Sequence, residues 1–219
     1  MTTRLHSSAM NEREAFYQQA SEHLCQQSPA WAALIGAIGP CLHVPLPTRD
    51  PYQALVRAIA YQQLHAKAAE AILGRFMALF PGQAFPSPEQ LLATTPEQLR
   101  ACGFSGRKIS TVQALAQGRL DGLVPDHAEA RQLEHEVLIE RLTRLPGVGR
   151  WTVEMLLIYT LEQMDILPVD DFGVREGYRR LHGLEAQPTR KQLLEVGAAW
   201  SPYRTVAAWY LWRVPVKGI

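Results

Sequence analysis

The chain has little cysteine, little lysine and no long apolar run. Its three cysteines, Cys25, Cys41 and Cys102, are widely spaced. They make no CxxC pair, no zinc pattern and no disulfide framework, and nothing after Cys102 offers a thiolate to an iron–sulfur cluster. Lysine occurs only at Lys67, Lys108, Lys191 and Lys217, so arginine supplies most of the 22 cationic side chains. The planar guanidinium fork suits phosphate oxygens better than an ammonium does. No stretch reaches the roughly 18 apolar residues of a membrane span. Met1 to Met10 lacks the apolar centre of a signal peptide, so an intracellular, cytoplasmic location is expected. A formal net charge of +1 gives no global field, and any nucleic-acid site must be a local patch. Two other motifs fail. Gly147-Val148-Gly149 lacks the third glycine of a dinucleotide fingerprint, and His135-Glu136 lacks the second histidine of a zinc-protease helix.

An apolar fraction of 47% over 219 residues is enough for a proper core, and its periodicity is helical throughout. Asn11 to Cys25 and Trp31 to Ile38 read as helices, followed by a proline-rich linker over Val44 to Pro51. Helices then follow from Pro51 and over Ala66 to Phe80, with Gln62-Gln63-Leu64 interrupting the pattern. Ser87-Pro88-Glu89-Gln90 and Thr95-Pro96-Glu97-Gln98 each carry a capping residue, proline at the first helical position and glutamine at the third. Gly103 to Lys108 is a turn feeding a helix over Ile109 to Gln117, with a loop from Gly118 to His127. That turn is either a plain capped turn or a backbone contact for phosphate. No segment reads as a strand, and the expected class is all-α.

The chain is organised around Leu145-Pro146-Gly147-Val148-Gly149-Arg150-Trp151-Thr152 and the Pro168-Val169-Asp170-Asp171-Phe172 beyond it. Leu133, Val137, Arg141 and Leu145 fall at four-residue steps, which predicts one amphipathic helix into the turn. Val153 to Leu161 is apolar almost all round, predicting a short buried helix out of it. The two glycines allow positive φ and a close backbone approach. The turn therefore offers helix N-terminal N–H groups to a phosphate. Asp171 stands where the next helix starts, the usual place of a capping aspartate.

These motifs, with Trp200-Ser201-Pro202-Tyr203-Arg204, resemble the helix-hairpin-helix DNA glycosylases, and within them the 3-methyladenine DNA glycosylase II branch. The likeness covers about Tyr52 to Arg213. It implies a two-lobed helix-hairpin-helix glycosylase fold: helices over residues 1–50 packing with those of 168–219, and a hairpin-bearing lobe over 51–167. The active cleft would lie between them, with Asp171 at its lip. The resemblance makes Asp171 the catalytic carboxylate, with Asp170 the rival acid supporting the turn. Pro146, Gly147, Val148, Gly149 and Arg150 would anchor the DNA backbone. Trp151 and Trp200 would line a base pocket with Met155 and Tyr203, although each aromatic taken alone reads more readily as core. Gln63, or second Leu64, would wedge into the stack from which the base is extruded. A sodium or potassium ion would sit on main-chain carbonyls near Thr143, Leu145 and Val148, and no other cofactor is implied.

The function implied is hydrolysis of the N-glycosidic bond of 3-methyladenine, 7-methylguanine and similar purines in double-stranded DNA, by a monomer. Trp151 stands where bifunctional relatives carry a Schiff-base lysine, so strand cleavage is not expected. Aromatic faces at Trp151 and Trp200 would attract a cationic base by roughly 0.5–2 kcal/mol. The alternatives are a DNA-binding protein that kept the hairpin without the chemistry, or a glycosylase with lyase activity.

Overall fold

A computed structural model describes residues 2–216 of the chain, with side chains from residue 12 onward. In chain order the helices are α1 Thr2–Cys25, α2 Pro29–Ile38, α3 Pro51–Tyr61, α4 Ala66–Ala78, α5 Pro88–Ala93, α6 Pro96–Cys102 and α7 Gly106–Leu120. There follow α8 His127–Gln132, α9 His135–Leu142, α10 Arg150–Tyr159, α11 Phe172–Leu181, α12 Arg190–Gly197 and α13 Arg204–Leu211, with a 3₁₀ turn over Ala198–Trp200. No strand occurs among the described residues, so the class is all-α. No described helix is long and apolar enough to cross a membrane. Lys217 lies outside the described residues.

Two compact units divide the chain. One is continuous, Pro45–Glu162; the other combines the chain up to Val44 with the chain from Gln163 onward. The sequence reading sets these boundaries after residues 50 and 167, several residues later in each case.

In the continuous unit, local chemistry places the helix starts. Ser87 and Thr95 accept hydrogen bonds from the amides of Gln90 and Gln98, and each glutamine side-chain oxygen accepts one from its cap's backbone amide. Each cap therefore satisfies two orphan amide donors. Ser105 caps α7 with one bond, from the Lys108 amide, and α7 runs on to Leu120, past the expected loop start at Gly118.

The approach to the hairpin departs from the single helix expected. Leu133 adopts φ −80° and ψ 140°, extended backbone that separates α8 from α9. The break shifts the helical phase, so Leu138, Ile139 and Leu142 are buried while Val137 is 49% exposed. Beyond the hairpin, α10 buries Val153, Leu156, Leu157 and Ile158. Trp151, Met155 and Tyr159, at four-residue steps, stay only half-buried along one face.

The other unit packs α1, α2, α11 and α13 around Leu24, Trp31, Leu34, Val174, Trp200, Val206 and Tyr210, all buried. Gly177 decides how closely α11 and α13 approach. A Cβ there would overlap the Leu211 backbone, so only glycine permits this backbone-to-backbone contact.

Candidate active site

The hairpin is built on the continuous unit. Thr143 ends α9, Leu145 and Val148 are buried, and the Val148 amide bonds the Leu145 carbonyl at 3.2 Å. Only Gly147 takes positive φ, at 77°. A Cβ on it would overlap the Thr111 side chain of α7. Gly149 has φ −97° and open space where a Cβ would stand. The expectation that both glycines serve backbone geometry is therefore corrected: Gly147 is required by the fold, and Gly149 leaves the start of α10 bare. No side chain caps α10, the arrangement that receives an anion at a helix N-terminus.

Arg150 does not extend a cation from this turn. Its guanidinium grips both carboxylate oxygens of Glu136, and its Nε meets Glu154 Oε1 at 3.0 Å. Hydrogen bonding to Glu136 pushes its pKa above the ordinary arginine range. Pro146 stays at the exposed tip.

Beside the hairpin lies the chain that ends α3. Gln62 Nε2 donates to the Gly147 carbonyl at 3.3 Å and to Thr152 Oγ1 at 3.0 Å. Lys108 Nζ donates to the carbonyls of Ala60 and Gln62, both at 2.9 Å. Gln63 is exposed and left-handed, with φ 57°, and Leu64 is 40% exposed. The sequence missed both braces. The Gly103 to Lys108 turn proves to be a left-handed end of α6 joined to the Ser105 cap. Of its two cations, Lys108 turns inward.

Trp151 and Met155 come together as expected. With Tyr61 and Tyr159 they line a cavity of about 420 Å³. Its other lining includes Arg49 and Arg57, which the sequence reading did not single out. Burial, then the like charge of Arg57, pushes the Arg49 guanidinium below its ordinary value. Burial does the same to Arg57, whose guanidinium carbon lies 5.2 Å from the Phe85 ring centre. Arg57 Nε is buried without a hydrogen-bond partner, and neither arginine pairs with a described carboxylate. Two uncompensated cations do not make an aromatic cage for a third.

Trp200 and Tyr203 stand in the discontinuous unit. Trp200 is 3% exposed, its ring 5.3 Å from Trp31 and 5.8 Å from Tyr178. Tyr203 packs at 5.2 Å against both Phe16 and His23. Trp200 belongs to the core of the discontinuous unit, and Tyr203 packs partly buried against it. Within that unit the Trp200 indole is enclosed, whereas Tyr203 keeps part of its ring exposed.

The indole that matters at Asp171 is Trp212. Asp171 caps α11, its Oδ1 accepting from the Val174 amide at 2.8 Å. The same oxygen accepts from Trp212 Nε1 at 2.8 Å. Two donors on one oxygen fix the carboxylate's orientation. Trp212 reaches it because α13 ends against the start of α11, where a Cβ on Gly173 would come within 2.8 Å of the indole. Asp170 has another job: its Oδ2 pairs with Arg190 at 3.1 Å on the surface.

The chain belongs to the HhH-GPD superfamily of base excision DNA repair proteins, whose pattern matches residues 56–202. Within it the chain is 44% identical over 196 residues to DNA-3-methyladenine glycosylase 1 of Schizosaccharomyces pombe, covering 89% of this chain and 86% of that protein. It is 34% identical over 204 residues to that organism's alkylbase DNA glycosidase-like protein mag2, covering 93% and 96%. The structure matches that of the S. pombe 3-methyladenine DNA glycosylase Mag1 in complex with abasic DNA. The TM-score is 0.84 at 44% identity, covering 90% of this chain and 96% of that one.

Proposed function

We propose that this chain is a monofunctional DNA glycosylase. It hydrolyses the N-glycosidic bond of alkylated purines in duplex DNA, chiefly 3-methyladenine and 7-methylguanine, wherever the cell keeps its DNA. The observation that carries the reading is the Asp171 carboxylate, held by Val174 and Trp212 in a chain of this repair family.

Breaking the bond moves positive charge onto the sugar. A carboxylate about 4 Å away, at an effective dielectric near 20, opposes that charge by roughly 4 kcal/mol, about three orders of magnitude in rate. It also orients the attacking water. A purine methylated at N3 or N7 carries its charge before cleavage and leaves neutral, so no general acid is needed. The hairpin at Gly147 to Gly149 anchors the backbone through phosphate, which positions without reading sequence. Gln63 and Leu64 enter the stack as the base leaves it. Trp151 and Met155 receive the base. With Arg49 and Arg57 beside them, preference for methylated purines comes from their weakened bonds, not from attraction of a cation.

The carbonyls of Thr143 and Val148 accept no hydrogen bond from the described protein, and that of Leu145 takes only the Val148 amide. These oxygens fit a sodium or potassium ion, which when bound would add a positive charge facing the DNA phosphate.

The test is to incubate the protein with methylated duplex DNA and identify the bases released. Free 3-methyladenine and 7-methylguanine are expected, with strands intact until heated in alkali. Uracil or 8-oxoguanine as the best substrate would overturn the reading.

A further inference from the structure

The loop from Gln62 to His65 is fastened at two places, and its most exposed residues lie between helices that serve other purposes. Helix α3 ends at Tyr61, and the carbonyls at a helix end lack partners within the helix. Lys108 supplies them, with its Nζ 2.9 Å from the Ala60 oxygen and 2.9 Å from the Gln62 oxygen. It makes no ion pair with any described carboxylate, and burial lowers its pKa. Its cation is thus spent on neutral backbone, where a helix C-terminus favours positive charge.

The Gln62 side chain reaches the other way. It ties the same peptide to Gly147 in the hairpin and to Thr152 in α10. Residue 62 is therefore clamped from α7 through its carbonyl and from the hairpin through its amide. Gln63, next in sequence, takes φ 57°, a conformation in which a side chain's Cβ crowds the backbone. Such strain persists only where the surroundings over-determine it. Here the clamp on Gln62 supplies that constraint from one side, and the Leu64 amide bond to the Tyr61 carbonyl at 3.1 Å supplies it from the other.

We propose that Lys108 is a positioning residue for base extrusion: by clamping the end of α3 it holds Gln63 and Leu64 in register with the hairpin. The inference rests on the reading that this loop fills the gap left by the extruded base. Lys108 touches neither substrate nor water in this role. It keeps the wedge at a fixed height above the surface that the hairpin presses against the backbone, so that docking and insertion are one event. A lysine acting only as a helix cap would affect stability alone.

The two possibilities separate on the pairing of the target base. One oligonucleotide carrying 7-methylguanine is prepared as a paired duplex and as a single strand, in which extrusion is already largely paid. Wild-type protein and Lys108→Met are compared on both under single-turnover conditions, with thermal melting recorded for each protein. The expected result is that Lys108→Met slows release from the duplex roughly tenfold more than release from the single strand. A 2-aminopurine placed beside the lesion should also lose the fluorescence rise that reports unstacking. Equal slowing on both substrates, or none on either, overturns the role of Lys108. Should Lys108→Met fail to fold, Gln62→Ala releases the same clamp from the hairpin side and must show the same split. Wild-type protein that frees no base from either substrate overturns the glycosylase reading instead, so the two failures are distinct.

Discussion

Trp212 Nε1 donates to Asp171 Oδ1 at 2.8 Å, joining the residue that follows α13 to the cap of α11. This bond exists because α11 carries glycine at 173 and 177, so the end of α13 lies against it without an intervening side chain. Asp171→Asn keeps a good cap and removes the charge, so single-turnover release of 7-methylguanine should fall about two orders of magnitude or more with unchanged melting. Trp212→Phe removes the donor and keeps an aromatic ring. A hydrogen bond to a charged group contributes roughly 1.5–3 kcal/mol, which sets a loss of about ten- to a hundredfold. Near-normal turnover in Asp171→Asn would remove this carboxylate from the chemistry.

The two hairpin glycines should behave differently. Gly147→Ala meets positive φ and the Thr111 side chain. Together these should lower stability by roughly 1–3 kcal/mol, seen as a drop in Tm. Gly149→Val enters open space at ordinary φ, so melting should hold while affinity for duplex DNA falls for all sequences alike. Normal duplex affinity in a folded Gly149→Val protein would mean that the hairpin is not the anchor.

Arg49 and Arg57 set an expectation about charge. Two cations beside Trp151 oppose entry of a cationic base and tolerate a neutral one. Arg49→Gln with Arg57→Gln should therefore raise release of 3-methyladenine relative to hypoxanthine, by about tenfold if roughly 1.4 kcal/mol of repulsion is removed. The ratio of the two rates, measured on otherwise identical duplexes, checks this. An unchanged ratio accompanied by a weaker salt dependence of duplex binding would place the arginines on phosphate instead.

Strand cleavage should be absent. A lyase needs an amine at the sugar, Trp151 opens α10 where such an amine would stand, and Lys108 is committed to carbonyls. Borohydride should trap no covalent protein–DNA adduct on gel electrophoresis, and a robust adduct would contradict the monofunctional reading.

Much of the fold was legible because its signals are local. The capping boxes at Ser87 and Thr95 are four-residue patterns whose partners are sequence neighbours, and the apolar stretch over Val153 to Leu161 needs no tertiary information to read as helix, which ends at Tyr159. The phase error at Val137 came from Leu133, whose extended backbone resets the helix without any proline or glycine to announce it. The site was harder to read for the same reason. Trp200 and Trp212 look alike in sequence, and which indole reaches Asp171 depends on the closeness of α11 to α13. The cavity arginines were invisible because a missing counter-charge is a property of space, not of order along the chain. Lys108 and Gln62, forty-six residues apart in the sequence, meet only after α3 and α7 have packed.

The division of the chain also orders its own assembly. The unit bearing the hairpin runs without interruption from Pro45 to Glu162, whereas the unit bearing Asp171 needs both the start of the chain and everything after Gln163. During synthesis from the N-terminus, domains fold as units once their residues are available. The hairpin-bearing unit therefore has all its residues before Asp171 has been made, and the carboxylate is oriented only when Trp212 arrives. A chain arrested between these points holds the complete hairpin-bearing unit and lacks the bond that orients Asp171.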